Sequence, residues 1–130
     1  TNSIALGIIG KSFIPRSEVG IGVGDGRNSC AFDNLGRVSV NGKWSEPNDS
    51  FAFETQSIAL AIEKKENLCN LFLYINGKEV QRVEGFEALG PITPALSLIS
   101  GCQAALNFGD DPMSHPIPEG FSPLNAWITD

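Results

Sequence analysis

The chain has a single histidine and a single methionine among its 130 residues, and only three cysteines. One histidine cannot build a histidine-based metal centre. His115 sits between Ser114 and Pro116 with no cysteine nucleophile near it and no Gly-x-Ser-x-Gly elbow anywhere. Cys30, Cys69 and Cys102 lie far apart among apolar or small residues. An odd, dispersed set excludes a disulfide framework and a zinc knuckle, and it reads as reduced structural thiols in the cytoplasm or nucleus. No apolar run reaches the ~18–20 residues that span a bilayer. The opening Thr1-Asn2-Ser3 lacks the basic region and cleavage pattern of a signal peptide. Positive charge is scarce too: nine Lys and Arg stand against fifteen Asp and Glu, for a net charge of −6. Residues 1–65 are balanced, with seven of each sign, whereas residues 66–130 carry two basic and eight acidic side chains. An acidic half repels phosphate backbones, so no direct nucleic-acid binding is expected.

What the chain does have is turns. Fourteen glycines and eight prolines punctuate short β-rich segments at 4–9, 29–33, 37–41, 57–63, 69–75, 79–83, 95–99 and 102–108. Asn41-Gly42 and Asn76-Gly77 each stand between such segments. Asn-Gly accepts the positive φ angles of a type I′ turn, so each pair predicts a hairpin. Asn34-Leu35-Gly36 and Asp25-Gly26 add two more turns. In 57–65 the large residues Ile58, Leu60 and Ile62 alternate with Ala59, Ala61 and Glu63, a period of two that favours strand over helix. Only 84–89 reads as a single helical turn. With 42% hydrophobic and 18% charged residues, the pattern predicts one all-β domain, a two-sheet sandwich or barrel. Residues 110–130 are expected to form a loop-like tail packed on that body, with Trp127 against it.

Four segments of the chain resemble the SPRY domain family. Ile4-Ala5-Leu6-Gly7-Ile8 is similar to its Val-x-x-Gly-Phe/Ile strand. Gly20 to Gly26, Ser29-Cys30-Ala31-Phe32-Asp33 and Asn41-Gly42-Lys43-Trp44 follow its Ser-x-Gly-Tyr, glycine-turn and His-Asn-Gly stretch. Leu71 to Val80 resembles its Leu-x-Phe-x-x-Asn-Gly-x-x-Leu hairpin. Ile92 to Leu98 with Leu106-Asn107-Phe108-Gly109 resembles its Leu-x-Pro-x-x-Ser-Leu and Asn-Phe-Gly strands. The likeness covers about residues 4–124, closing on Pro118-Glu119-Gly120-Phe121. The glycine-rich run and that closing segment look most similar to SPRY domains inside larger intracellular proteins, such as a DEAD-box helicase and ryanodine receptors. The likeness implies a bent antiparallel two-sheet β-sandwich of concanavalin-like jelly-roll type, with loops that recognise a protein or peptide and no catalysis.

Two departures qualify the resemblance. The family's aromatic-rich strands before Ile4 are not in this sequence. Either the chain is part of a longer domain, or another chain completes the sandwich edge by strand addition or homo-oligomerisation. At Thr55-Gln56-Ser57-Ile58-Ala59 the family's Gly-Asp-x-Ile-Gly keeps only its Ile. One peptide-binding subgroup uses an early Arg and a late Val-Trp-Gly. Here the late loop is Ile99-Ser100-Gly101, so that specificity does not carry over.

Several motifs invite chemistry and lack its context. Ala5-Leu6-Gly7-Ile8-Ile9-Gly10-Lys11-Ser12 satisfies a relaxed phosphate-loop pattern, but a working one needs a strand before it and a helix after it. Gly7-Ile8-Ile9 reads as strand interior instead. Gly20-x-Gly22-x-Gly24-x-Gly26 misses the dinucleotide spacing and fits a place where another backbone passes closely. Asp110-Asp111 before Pro112 reads as a solvated turn, and Asn48-Asp49-Ser50 as a turn after Pro47. The segment from Lys11 to Val19 places Phe13 and Arg16 in a loop where polar residues would be cheaper, and aromatics and Arg are typical interface anchors. The candidate partner-binding set is therefore Phe13, Arg16, Arg27 and Asn28, with Ile99, Ser100 and Gly101. No catalytic residue, metal site or cofactor is expected, and no membrane. Two alternatives stand beside this protein-interaction reading. One is a lectin-like sandwich using Asp25, Asn28, Asp110 and Asp111. The other is a structural or oligomerisation domain.

Overall fold

A computed structural model describes residues 4–11, 13, 22–53, 57–88, 90–98, 117, 118, 120 and 121. They form eight strands in two antiparallel sheets. The strands are β1 (Ala5–Gly10), β2 (Ser29–Asp33), β3 (Val38–Val40), β4 (Lys43–Trp44), β5 (Ile58–Lys65), β6 (Leu68–Ile75), β7 (Lys78–Glu87) and β8 (Ile92–Ser97). One sheet runs β4-β3-β2-β1-β8 and the other β5-β6-β7. Helical structure among the described residues is confined to a 3-10 turn at Asp49–Phe51, capped by the Asn48 side chain on the Ser50 N–H. None of their helices is long and apolar enough to cross a membrane.

The alternation read in the sequence produces the core. Ile8, Cys30 and Phe32 from the first sheet meet Cys69, Leu71, Leu73 and Phe86 from the second, and Phe51 closes the cluster. Leu60 and Ile62 of β5 pair with Leu73 and Leu71 and point to the same side. Fully burying a side chain of this size contributes roughly 1.5–3 kcal/mol, so this double layer is the main source of stability. The two-sheet sandwich follows from these paired inner faces.

Both Asn-Gly pairs form the expected hairpin turns. Asn41 and Gly42 have φ of 54° and 88°, and Asn76 and Gly77 have 52° and 83°. Each Asn also locks a neighbouring strand: Asn41 Oδ1 accepts the Asn28 N–H at 2.8 Å, and Asn76 Oδ1 accepts the Ser57 N–H at 3.1 Å.

The expected helical turn at 84–89 is corrected by the structure, because β7 continues through Glu87. Cys69 pairs with Phe86 and Leu71 with Val83, so Glu84 and Gly85 together face the single residue Asn70. This is a β-bulge. Gly85, at φ 75°, takes up the extra residue, and its N–H donates to Asn70 Oδ1 at 2.8 Å. The bulge lets Phe86 return to the inner face, where it is 3% exposed. The strand expected at 102–108 lies outside the described residues. Of the C-terminal tail, Phe121 meets the Phe72 ring edge-on at 5.9 Å, on the outer face of the smaller sheet.

Candidate functional site

The five-stranded sheet is covered on both faces. All five residues of β2 are buried, although only Cys30 and Phe32 face the second sheet. The other face carries a row of mostly small residues in register: Ala95, Gly7, Ala31, Ser39 and Trp44. The segment from Gly22 to Asn28 lies along that row.

This segment is pinned across the sheet. The Val23 N–H donates to Ser97 Oγ of β8 at 2.9 Å, and Ser39 Oγ of β3 donates to the Gly24 carbonyl. Asp25 accepts the Gly22 N–H at 2.8 Å on one oxygen and the Trp44 indole N–H at 3.0 Å on the other. Gly24 has φ of 91°, and a Cβ there would stand 2.6 Å from Trp44 Cζ2 and 3.0 Å from Ala31 Cβ. Gly24 thus marks a close approach of this backbone to the Trp44 ring and the Ala31 side chain, where the spacing had implied a second backbone; Gly20 lies outside the described residues.

Behind Trp44 stands an ion pair. Arg37 Nε donates to Asp33 Oδ2 at 2.7 Å, while its guanidinium lies 5.0 Å from the centre of the Trp44 ring. Asp33 is fully buried, and its other oxygen accepts the N–H groups of Leu35 and Arg37. Burial is tolerable because the carboxylate is both paired and hydrogen-bonded. Sequence reading missed Arg37, Trp44 and Asp33 as supports of this surface. The local Asp-Asn-Leu-Gly-Arg turn explains the pair, but the Trp44–Asp25 contact spans nineteen residues and has no local signature.

The candidate residues divide. Arg27 is exposed at the tip of the segment, beside Asn28 at φ 63°. Asn28 joins three loops: its carbonyl accepts the Gly10 N–H at 2.7 Å, and its own N–H reaches Asn41. Phe13 is 8% exposed, and its ring lies under Gly26, where it props the segment from below. Arg16, Ile99, Ser100 and Gly101 lie outside the described residues. The structure therefore brings together the ends of β1 and β3 and the Gly22–Asn28 segment as one fixed loop cluster. A shallow groove of about 680 Å³, lined in part by Val38, Phe51 and Gln81, lies at the other end of β3.

Among the described residues no three His, Cys, Asp or Glu side chains form a metal-binding group. Asp110, Asp111 and His115 are outside the described residues. Gly7 to Gly10 of the phosphate-loop pattern are strand β1. Cys30 and Cys69 are free thiols buried in the core. Burial, reinforced by the neighbouring Cys69, pushes the Cys30 thiol up to about 12. Burial also raises Cys69, with Lys64 opposing.

No protein-family model and no solved structure matches the chain. Over 107 residues, 79% of the chain, it is 36% identical to the E3 ubiquitin-protein ligase RKP of Arabidopsis thaliana. That stretch is 8% of the ligase, so the chain is similar to one short part of a much longer protein.

Proposed function

We propose that the chain is a non-catalytic, SPRY-like recognition module that holds a protein or peptide partner on the loop cluster formed by residues 10, 11, 13, 22–28 and 41–43. The observation that carries the reading is the fixed Gly22–Asn28 segment. It is bonded to β8, β3 and β4 at once, so little ordering entropy remains to be lost when a partner docks, which favours affinity. Similarity to a short part of a ubiquitin ligase supports a place for the module within a larger protein that brings targets to ubiquitination. Two reduced, buried thiols agree with a cytoplasmic or nuclear setting. Arg27 supplies an exposed cation at the cluster, and Arg16 is assigned a matching role.

The test is a lysate pull-down read by mass spectrometry. It compares the wild type with an Arg16→Glu/Arg27→Glu variant of equal thermal stability. A partner captured by the wild type and lost by the variant is the expected result. The same catch from both proteins, or none from either, sinks the loop assignment and leaves a structural role.

A further inference from the structure

Three exposed cations converge on the loop cluster, although the chain as a whole carries a net charge of −6. Lys11 follows Gly10, whose N–H is bonded to the Asn28 carbonyl at 2.7 Å. Arg27 precedes Asn28. Lys43 follows Gly42, where a Cβ would stand 3.4 Å from Gly26 Cα. Lys11 and Arg27 therefore flank one inter-loop contact, and Arg27 and Lys43 flank the next. None of the three forms an ion pair with a described residue. The carboxylate between them, Asp25, is turned inward onto the Trp44 indole and the Gly22 N–H.

Two of the other described cations are matched, while Lys64, Lys65 and Lys78, on the second sheet, form no ion pair with a described residue. Arg37 is held by Asp33, and Arg82 by Glu79 and Glu84. An unmatched group of cations on a prearranged backbone costs self-repulsion in the free protein, and an anionic partner relieves it. Lys11 and Arg27 stand on two loops and Lys43 opens β4, so carboxylates spaced along an extended chain can meet them together. Phosphate-backbone partners are disfavoured by the excess negative charge of the rest of the domain.

We infer that the partner of this loop cluster is an acidic peptide segment, whose Asp or Glu side chains engage Lys11, Arg27 and Lys43. The inference rests on the recognition reading above and adds the chemistry of what is recognised. Lys11 and Lys43 become specificity residues, neither of which stood in the candidate set read from the sequence.

Arrays of short acidic, neutral and basic peptides, followed by fluorescence anisotropy on the best binder, test it. The wild type is expected to select acidic peptides and to lose affinity as salt is raised. Lys11→Glu/Arg27→Glu/Lys43→Glu is expected to weaken that binding roughly tenfold or more, while Lys78→Glu at the far end of the sandwich leaves it unchanged. Should the triple reversal not fold, the Gln versions of the same three positions replace it. Equal binding of neutral or basic peptides, equal binding by the triple variant, or no binding of acidic peptides overturns the inference. The lysate experiment separates the two levels. A partner lost by Arg16→Glu/Arg27→Glu but absent from the acidic peptide set leaves recognition standing and removes only its acidic assignment.

Discussion

Asp25 accepts the indole N–H of Trp44 at 3.0 Å, and this bond ties the glycine-rich segment to the edge strand β4. Removing the donor while keeping an aromatic ring isolates its contribution. Trp44→Phe is expected to lower stability by about 1–2 kcal/mol, from a lost charge-assisted hydrogen bond and a poorer surface for Arg37. Urea unfolding checks the loss, and faster amide exchange at Val23 and Asp25 checks that it is local.

Gly24 is the tightest point of the same contact. Gly24→Ala forces a side chain into a left-handed backbone at φ 91° and onto the Trp44 ring. Left-handed strain and overpacking together are expected to cost about 2–4 kcal/mol, read as a lower denaturant midpoint at unchanged m-value. A midpoint equal to that of the wild type would show that the segment does not lie on Trp44.

The pair of Asp33 and Arg37 is asymmetric, with the carboxylate fully buried and the arginine partly exposed. Arg37→Ala is expected to destabilise by about 3 kcal/mol, because it leaves a buried carboxylate without its counter-ion. Adding Asp33→Asn should recover part of that loss, since the neutral amide needs no counter-ion and still accepts backbone N–H groups. A double-mutant cycle with no recovery would argue against the ion pair.

Cys30 and Cys69 are expected to resist alkylation in the native protein at pH 8 and to react only after unfolding. Site-resolved mass spectrometry separates them from Cys102. Their raised thiol values also set a pH dependence. An unfolded thiol loses its proton near about 8.5, whereas folded Cys30 holds its proton up to about 12. Between these values the unfolded state binds fewer protons, so stability is full below the lower value and falls as pH rises through the window. Cys30→Ala should flatten that alkaline loss relative to the wild type.

Much of the fold was legible because strand signals are local. Ile58, Leu60 and Ile62 alternate with small or charged neighbours, and Asn41-Gly42 and Asn76-Gly77 carry the two residues their turns require. Such features act within a few residues, so one sequence suffices to read them. The bulge at Glu84–Gly85 was not legible, since Glu-Gly-Phe-Glu-Ala-Leu has no marker that separates a helical turn from an irregular strand. Its conformation is settled by Cys69 and Asn70 on the neighbouring strand.

The site divides along the same line. Arg27 and Asn28 could be picked out from a glycine-rich turn, and a close approach could be inferred from its spacing. Which backbone approaches which ring could not, because Gly24, Ser39, Trp44 and Ser97 meet only when five strands are in register. Phe13, expected as an exposed interface anchor, is instead buried under Gly26, and for the same reason: an apolar residue in a loop folds inward or stays exposed according to what the rest of the chain places beneath it. By itself the sequence determined the period of each strand, the position of each Asn-Gly turn and the balance of charge, since these are properties of neighbouring residues. Only the tertiary structure decided that Lys11, Arg27 and Lys43 share one loop cluster, because their proximity depends on long-range strand pairing and turn packing.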